Sequence, residues 1–135
     1  MNKIIQQEME ILWSDYDEYS VNQKLEAFES LKAASSRSDL SQLLDLLKSE
    51  QNDFWVRELL AEPISEYGGS NCLPELFDGL KLNELEGHDN DTFLHFLTEI
   101  AYSGPMECKS TLQNLIARKN YEHKTRAEWL IEFCE

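Results

Sequence analysis

The chain has 135 residues, with 26 Asp or Glu against 12 Lys or Arg, so its formal net charge is −14 at pH 7. Duplex DNA and anionic membranes both attract positive charge, so this balance argues against either and permits a basic protein partner. A plain alternative is that the acidic surface only keeps the protein in solution. The N-terminal residues lack a signal-peptide pattern and no stretch is long enough to span a membrane, which predicts a cytoplasmic protein.

The first predicted element is a helix over residues 2–16, with Ile5, Met9, Leu12 and Tyr16 on one face. We interpret residues 1–19 as an N-terminal capping helix that covers the end of the remaining helices. Tyr16 and Tyr19 stand among three acidic residues at its end. They form either a solvated helix end or an acidic-aromatic patch that binds a cationic partner, because tyrosine offers both apolar area and a hydroxyl.

A first helix pair is predicted over residues 20–47. Ser20 and Gln23 have the spacing of a capping box, so a helix begins there. The turn covers residues 34–38. The expected apolar positions of the two helices are Val21, Leu25, Phe28 and Leu31, then Leu40, Leu43, Leu44 and Leu47.

The clearest helix pair covers residues 53–80. Its first helix should end at Gly68-Gly69, because glycine accepts the backbone angles of a helix end, and Pro63 should bend it. Ser70 or Asn71 can cap the second helix. The apolar positions are Val56, Leu60, Ile64 and Tyr67, then Leu73, Leu76, Phe77 and Leu80.

A third pair and a last helix complete the predicted order. Residues 83–91 are a polar linker, and Asp89 or Asp91 should cap the next helix. The second helix of this pair runs from about residue 105 to 119, and Asn120 can cap the last helix. No segment alternates with period two for long enough to indicate a strand.

The pairs are similar to one another. An offset of 33 residues superimposes the apolar positions of the first pair on those of the second. An offset of 36 residues superimposes those of the second pair on those of the third. The acid-x-x-Val-Arg opening at Asp53, Val56 and Arg57, with the leucines and glycines after it, resembles a HEAT-type helical repeat. The resemblance, over residues 20–135, implies an all-α, single-domain, short right-handed α-solenoid of about three and a half HEAT-like pairs behind the capping helix.

The resemblance also implies where a partner would bind. In HEAT-type stacks the second helices line a concave face, and this points to Asp45, Glu75 and Asp78, with Glu50 at a helix end. The linker acids Glu84, Glu86, Asp89 and Asp91 would form a rim. The expected function is non-catalytic binding of a basic protein, in its sharper form as a bacterial immunity or antitoxin protein that blocks a cationic toxin such as a nuclease. The alternatives are a scaffold or adaptor subunit, or a lyase-like enzyme of the same architecture.

The chemistry-bearing residues suggest no catalytic site. Cys72, Cys108 and Cys134 are odd in number, form no CxxC pair and fall on apolar faces, so we expect free core thiols and no enzyme activity. His88, Asp89, Asp91 and His95 are the one metal-like group, but helix capping explains the two acids better, so no metal or cofactor is expected. Trp129 and Phe133 make a homodimer through the last helix reasonable.

Overall fold

The computed structural model describes residues 1–134, and this part of the chain forms eight α-helices and two short 3₁₀ turns without any β-strand. The all-α prediction is therefore confirmed. The 3₁₀ turns are Arg37–Asp39 and Gly69–Cys72. The helices are α1 (Lys3–Trp13), α2 (Val21–Ala34), α3 (Leu40–Leu47), α4 (Phe54–Gly68), α5 (Leu73–Leu85), α6 (Asp91–Ser103), α7 (Pro105–Ala117) and α8 (Lys124–Ile131).

The buried apolar side chains form one hydrophobic cluster to which all eight helices contribute. Along the chain, α1 packs on α2, α3 on α4, and α7 on α8. Helix α4 also contacts α5 and α6, and α6 contacts α7 and α8. The three cysteines are buried in this cluster, as their positions on apolar faces predicted. No described helix combines the length and the apolar character that a membrane crossing requires.

Several helix ends follow the capping residues that the sequence indicated. The Ser20 hydroxyl accepts from the Gln23 amide and the Gln23 side chain accepts from the Ser20 amide, so the capping box is present. Asp53 also caps α4 through the Val56 amide, a role that the sequence analysis had not assigned to it. By contrast, α6 follows Asn90, and α8 begins at Lys124, four residues after Asn120. Asn120 instead has a left-handed backbone, with φ of 60°.

In the N-terminal half of α2, the side chains that face the core are not the apolar ones that the sequence predicted. Val21 and Leu25 are 51% and 39% exposed, whereas Lys24 is buried. The Lys24 ammonium donates to the carbonyls of Leu12 and Ser14. The end of a helix leaves carbonyls without donors, and a lysine stem can lie along apolar surface to reach them. Lys24 therefore takes the inward position that apolar periodicity had assigned to Val21 and Leu25.

A polar network joins the start of α4 to the end of α5. The buried Arg57 guanidinium donates to Glu86 Oε2 at 2.7 Å, to Asn83 Oδ1 at 2.9 Å and to the Asn52 carbonyl at 3.2 Å. Asn52 in turn donates to the Leu46 carbonyl at the end of α3, at 2.8 Å. The arginine of the acid-x-x-Val-Arg opening is therefore a structural residue, because it joins the loop before α4 to the end of α5 and satisfies the buried acceptors of Asn52 and Asn83.

The junction between α4 and α5 has no room for a side chain at Gly68. A Cβ atom built on Gly68 would overlap Cys72 Sγ and lie 3.2 Å from Leu40 Cδ2. The next residue, Gly69, has φ of 53°, which glycine adopts without strain. The two glycines thus serve different needs, close packing at Gly68 and backbone geometry at Gly69.

Candidate functional site

Helix α4 carries a row of three glutamates on one face. Glu58, Glu62 and Glu66 are spaced by four residues, so their side chains lie above one another along the helix. Like charges at this spacing destabilise a helix by about 0.2–0.5 kcal/mol per pair. The row of glutamates therefore lowers the intrinsic stability of α4.

The row continues into an open cleft of about 420 Å³ between α4 and α6. We call this the acidic cleft; its carboxylates are Glu62, Glu66, Glu99 and Glu107. Helices α4 and α6 both end at its border, at Gly68 and Ser103. A helix C-terminus presents carbonyl oxygens with partial negative charge, which adds to the charge of the carboxylates. The cleft therefore favours a cation.

Lys32 of α2 supplies positive charge near the acidic cleft. Its ammonium lies 3.3 Å from Glu62 Oε2 and 3.3 Å from Glu29 Oε1. Burial works to lower the pKa of Lys32, but the hydrogen bonds and charges of Glu29 and Glu62 outweigh it and the pKa is raised. Among the described residues, Lys or Arg form ion pairs with four carboxylates: Glu29, Glu62, Glu84 and Glu86. The net negative charge is thus largely uncompensated at the surface.

The pKa of Glu58 is raised, first because burial disfavours its charged form and then because the Asp89 carboxylate repels it, while His88 acts in the opposite direction. The pKa of Glu58 is higher in the folded state than in the unfolded state. Ionised Glu58 therefore destabilises the folded protein once the pH rises from the unfolded-state pKa through the folded-state pKa. We expect Glu58→Gln to stabilise the protein at pH 7 by on the order of 0.5 kcal/mol. The gain in stability should vanish at a pH below 4.5, the ordinary pKa of a glutamate side chain.

Denaturation midpoints measured against pH test this expectation. Glu26→Gln, at an exposed position of α2, is the matched control and should show little change at either pH. A Glu58→Gln gain that is equal at neutral and acid pH would contradict the electrostatic cause.

A second cleft, of about 440 Å³, lies between α5 and α8. Arg126 donates to Glu84 Oε1 at 2.8 Å across it, and its guanidinium carbon lies 5.2 Å from the Trp129 ring centroid. His123 Nε2 lies 2.7 Å from Asp78 Oδ1. This cleft therefore carries charges of both signs, unlike the acidic cleft.

The acids expected on a concave face lie in separate surroundings. Asp45 is exposed on α3, beside the N-terminal Met1 and Asn2, and Glu50 is exposed after α3. Asp78 faces α8, where it contacts His123. Glu75 is half-buried, and its Oε1 atom is buried without a hydrogen-bond partner among the described residues.

The acids expected at the rim divide into two kinds. Glu84 and Glu86 form ion pairs with Arg126 and Arg57, so their charge is compensated within the chain. Asp89 and Asp91 are exposed at the start of α6, where Asp89 Oδ1 accepts from the Asp91 amide at 2.8 Å. Of this set, Asp89 and Asp91 retain charge that a partner can reach.

The two tyrosines after α1 are partly engaged within the chain. The Tyr16 hydroxyl donates to Asp53 Oδ2 at 3.1 Å, and the Lys24 ammonium lies 3.8 Å from its ring centroid. Burial, followed by the Asp53 carboxylate, raises the pKa of Tyr16. Tyr19 is half-buried. Trp129 and Phe133, expected at a homodimer contact, are also half-buried, with ring centroids 5.1 Å apart.

The metal-like group suggested by the sequence is dispersed in the structure. The His88 ring stacks on Phe54 with centroids 3.6 Å apart, and His95 lies 3.9 Å from Glu99 Oε1. Within residues 1–134, the three side chains whose ligand atoms do come together are Asp78, Glu122 and His123.

Comparison of the chain with protein-family models, with curated proteins and with solved structures gave no match. The sequence analysis did not identify Glu58, Glu62, Glu66, Glu99 or Glu107 as site residues. The sequence did contain a pattern that could have indicated most of these residues. The α4 glutamates are spaced by four residues, and Asp91, His95 and Glu99 repeat that spacing on α6.

Proposed function

We propose that this protein is a non-catalytic module that binds a basic protein through an acidic face. We define the acidic face as Glu58, Glu62 and Glu66 of α4 with Glu99 of α6 and Glu107 of α7. The observation that carries the proposal is the acidic cleft at its centre, where the carboxylates of Glu66, Glu99 and Glu107 stand beside the Lys32-paired Glu62 and the ends of α4 and α6. A lysine or arginine of a partner would offset this charge, and such complementarity guides encounter and specificity.

The proposal includes a HEAT-like solenoid as its framework. The contacts α4–α6 and α6–α8 support it, because they join first helices of successive pairs. The contacts α4–α5 and α6–α7 are those expected within pairs, whereas α2 packs on α1 and α3 on α4, so the predicted first pair of α2 with α3 does not follow this pattern. In this arrangement the acidic face is built mainly by the first helices α4 and α6, with Glu107 from the second helix α7, whereas the sequence had directed attention to the second helices with Asp45, Glu75 and Asp78. Asp89 and Asp91 would extend the face past Glu58.

The partner chemistry is set by the charge of the face. A nuclease carries a basic cleft for its nucleic acid, and an acidic face can occupy such a cleft. In the sharper form of the proposal, the protein is an immunity or antitoxin protein for a cationic toxin. A toxin encoded beside this protein should then bind it and lose activity. If the neighbouring toxin is not inhibited, the immunity or antitoxin proposal is wrong.

Affinity capture of the tagged protein from its native cells tests the broader proposal. The eluate is compared after washes at low salt and at about 1 M salt, where the Debye length falls to about 3 Å. We expect a basic protein that is retained at low salt and lost at high salt. Partners retained at high salt would instead support a scaffold held by apolar contacts.

A further inference from the structure

The turn before α8 brings three potential metal ligands together. Asp78 comes from α5, and Glu122 and His123 immediately precede α8. One ligand atom from each lies within 4.8 Å of the other two. His123 Nε2 is 2.7 Å from Asp78 Oδ1 and 3.6 Å from Glu122 Oε1. These residues are distinct from the acidic face.

The spacing of these atoms fits a shared metal ion. Zinc binds imidazole nitrogen and carboxylate oxygen at about 2.0–2.2 Å in tetrahedral geometry, so two ligand atoms on the same ion stand about 3.3–3.6 Å apart. The 3.6 Å distance from His123 Nε2 to Glu122 Oε1 lies at the upper end of this range, and the 2.7 Å distance to Asp78 Oδ1 is shorter than it. A small rotation of the exposed Asp78 and Glu122 side chains would bring both into range, without movement of the helices.

The imidazole is held in place before any ion arrives. The His123 side chain is 7% exposed, and its ring centroid lies 6.0 Å from that of Phe77 and 5.7 Å from that of Tyr121. The two carboxylates, by contrast, are open to solvent. An ion can therefore enter from solvent and meet a ligand that loses little conformational freedom on binding.

Two polar atoms near this group are buried without a hydrogen-bond partner among the described residues: Tyr121 Oη and Glu75 Oε1. Buried polar groups are rarely left unpaired unless a water or ion serves them. The Tyr121 hydroxyl can donate to a water molecule at this place.

We propose that Asp78, Glu122 and His123 bind a divalent transition metal ion, with Zn²⁺ the best match. An imidazole with two carboxylates suits zinc better than magnesium or calcium, which prefer oxygen ligands alone. Water would complete the coordination and reach Glu75 and Tyr121. The ion would join α5 to the turn before α8. This proposal does not depend on the proposed protein-binding function.

Calorimetric titration of the protein with Zn²⁺ tests the site, with two variants for comparison. Asp78→Asn/Glu122→Gln removes the two proposed carboxylates. Asp17→Asn/Glu26→Gln removes the same two groups at exposed positions outside the acidic face and is the matched control. We expect one equivalent to bind to the wild type and to the control, and the affinity of the site variant to fall by about tenfold or more. Equal affinity in all three proteins would overturn the proposal.

A nuclear magnetic resonance titration of the wild type keeps the test independent of any folding effect of the variants. The chain has three histidines, so their imidazole resonances can be assigned individually. We expect Zn²⁺ to shift the His123 resonances and to leave those of His88 and His95 in place. Unchanged His123 resonances would show that its contact with Asp78 is only a hydrogen bond and would contradict the proposed site.

Discussion

Replacing Arg57 by alanine is expected to lower the free energy of unfolding by about 3 kcal/mol. The substitution removes every donor that serves Asn83 Oδ1, the Asn52 carbonyl and the Glu86 carboxylate in the polar network. Breaking a buried ion pair costs about 3–5 kcal/mol. The lower end applies here, because Glu86 is 38% exposed and Arg57 Nε is itself buried without a partner among the described residues.

Equilibrium denaturation of Arg57→Ala and of a control variant, Arg37→Ala, measures this effect. Arg37 is exposed in the 3₁₀ turn before α3, so its removal should change stability by less than about 0.5 kcal/mol. Arg57→Lys should fall between the two, because an ammonium keeps the charge but cannot match the fork of a guanidinium. A loss below about 1 kcal/mol for Arg57→Ala would show that the network contributes little.

Replacing Gly68 by alanine is expected to cost about 2 kcal/mol, the middle of the range for overpacking a core. The backbone at Gly68 has φ of −101° and ψ of −26°, which alanine tolerates, so the cost comes from space alone. Its new methyl group would meet the Cys72 sulfur, which is buried. Burial also raises the pKa of Cys72 to about 11, so the residue acts here as a neutral thiol.

A double-mutant cycle with Cys72→Ala isolates this cause. Removing the sulfur should make room for the new methyl group, so Gly68→Ala/Cys72→Ala should be more stable than the sum of the single losses predicts. Stabilities that simply add would mean that the cost of Gly68→Ala arises from Leu40 or from the backbone instead.

The helices were predictable because their apolar positions, capping residues and glycine stops agree with one another. The Ser20–Gln23 box and the Gly68-Gly69 stop both act at the helix ends they predicted. Prediction failed where a polar side chain took an inward position. Lys24 is buried on α2 because carbonyls at the end of α1 need donors, and apolar periodicity contains no information about that need.

The candidate site was less predictable than the fold. The sequence shows which residues are acidic, but whether each remains available depends on which cation lies beside it. Glu84 and Glu86 look free in the sequence, yet Arg126 and Arg57 reach them from 42 and 29 residues away. Such pairs result from the packing of α4, α5 and α8, which a single sequence does not specify. The four-residue spacing of the α4 glutamates, by contrast, was visible beforehand.

The acidic face is tested most directly by repeating the capture experiment with two triple variants. Glu58→Gln/Glu66→Gln/Glu99→Gln removes three of the five carboxylates of the acidic face, and Glu26→Gln/Glu128→Gln/Glu132→Gln removes the same charge from exposed positions elsewhere. If the acidic face holds the partner, the first variant loses the basic protein while the control retains it. Equal retention by both variants would contradict the proposed function.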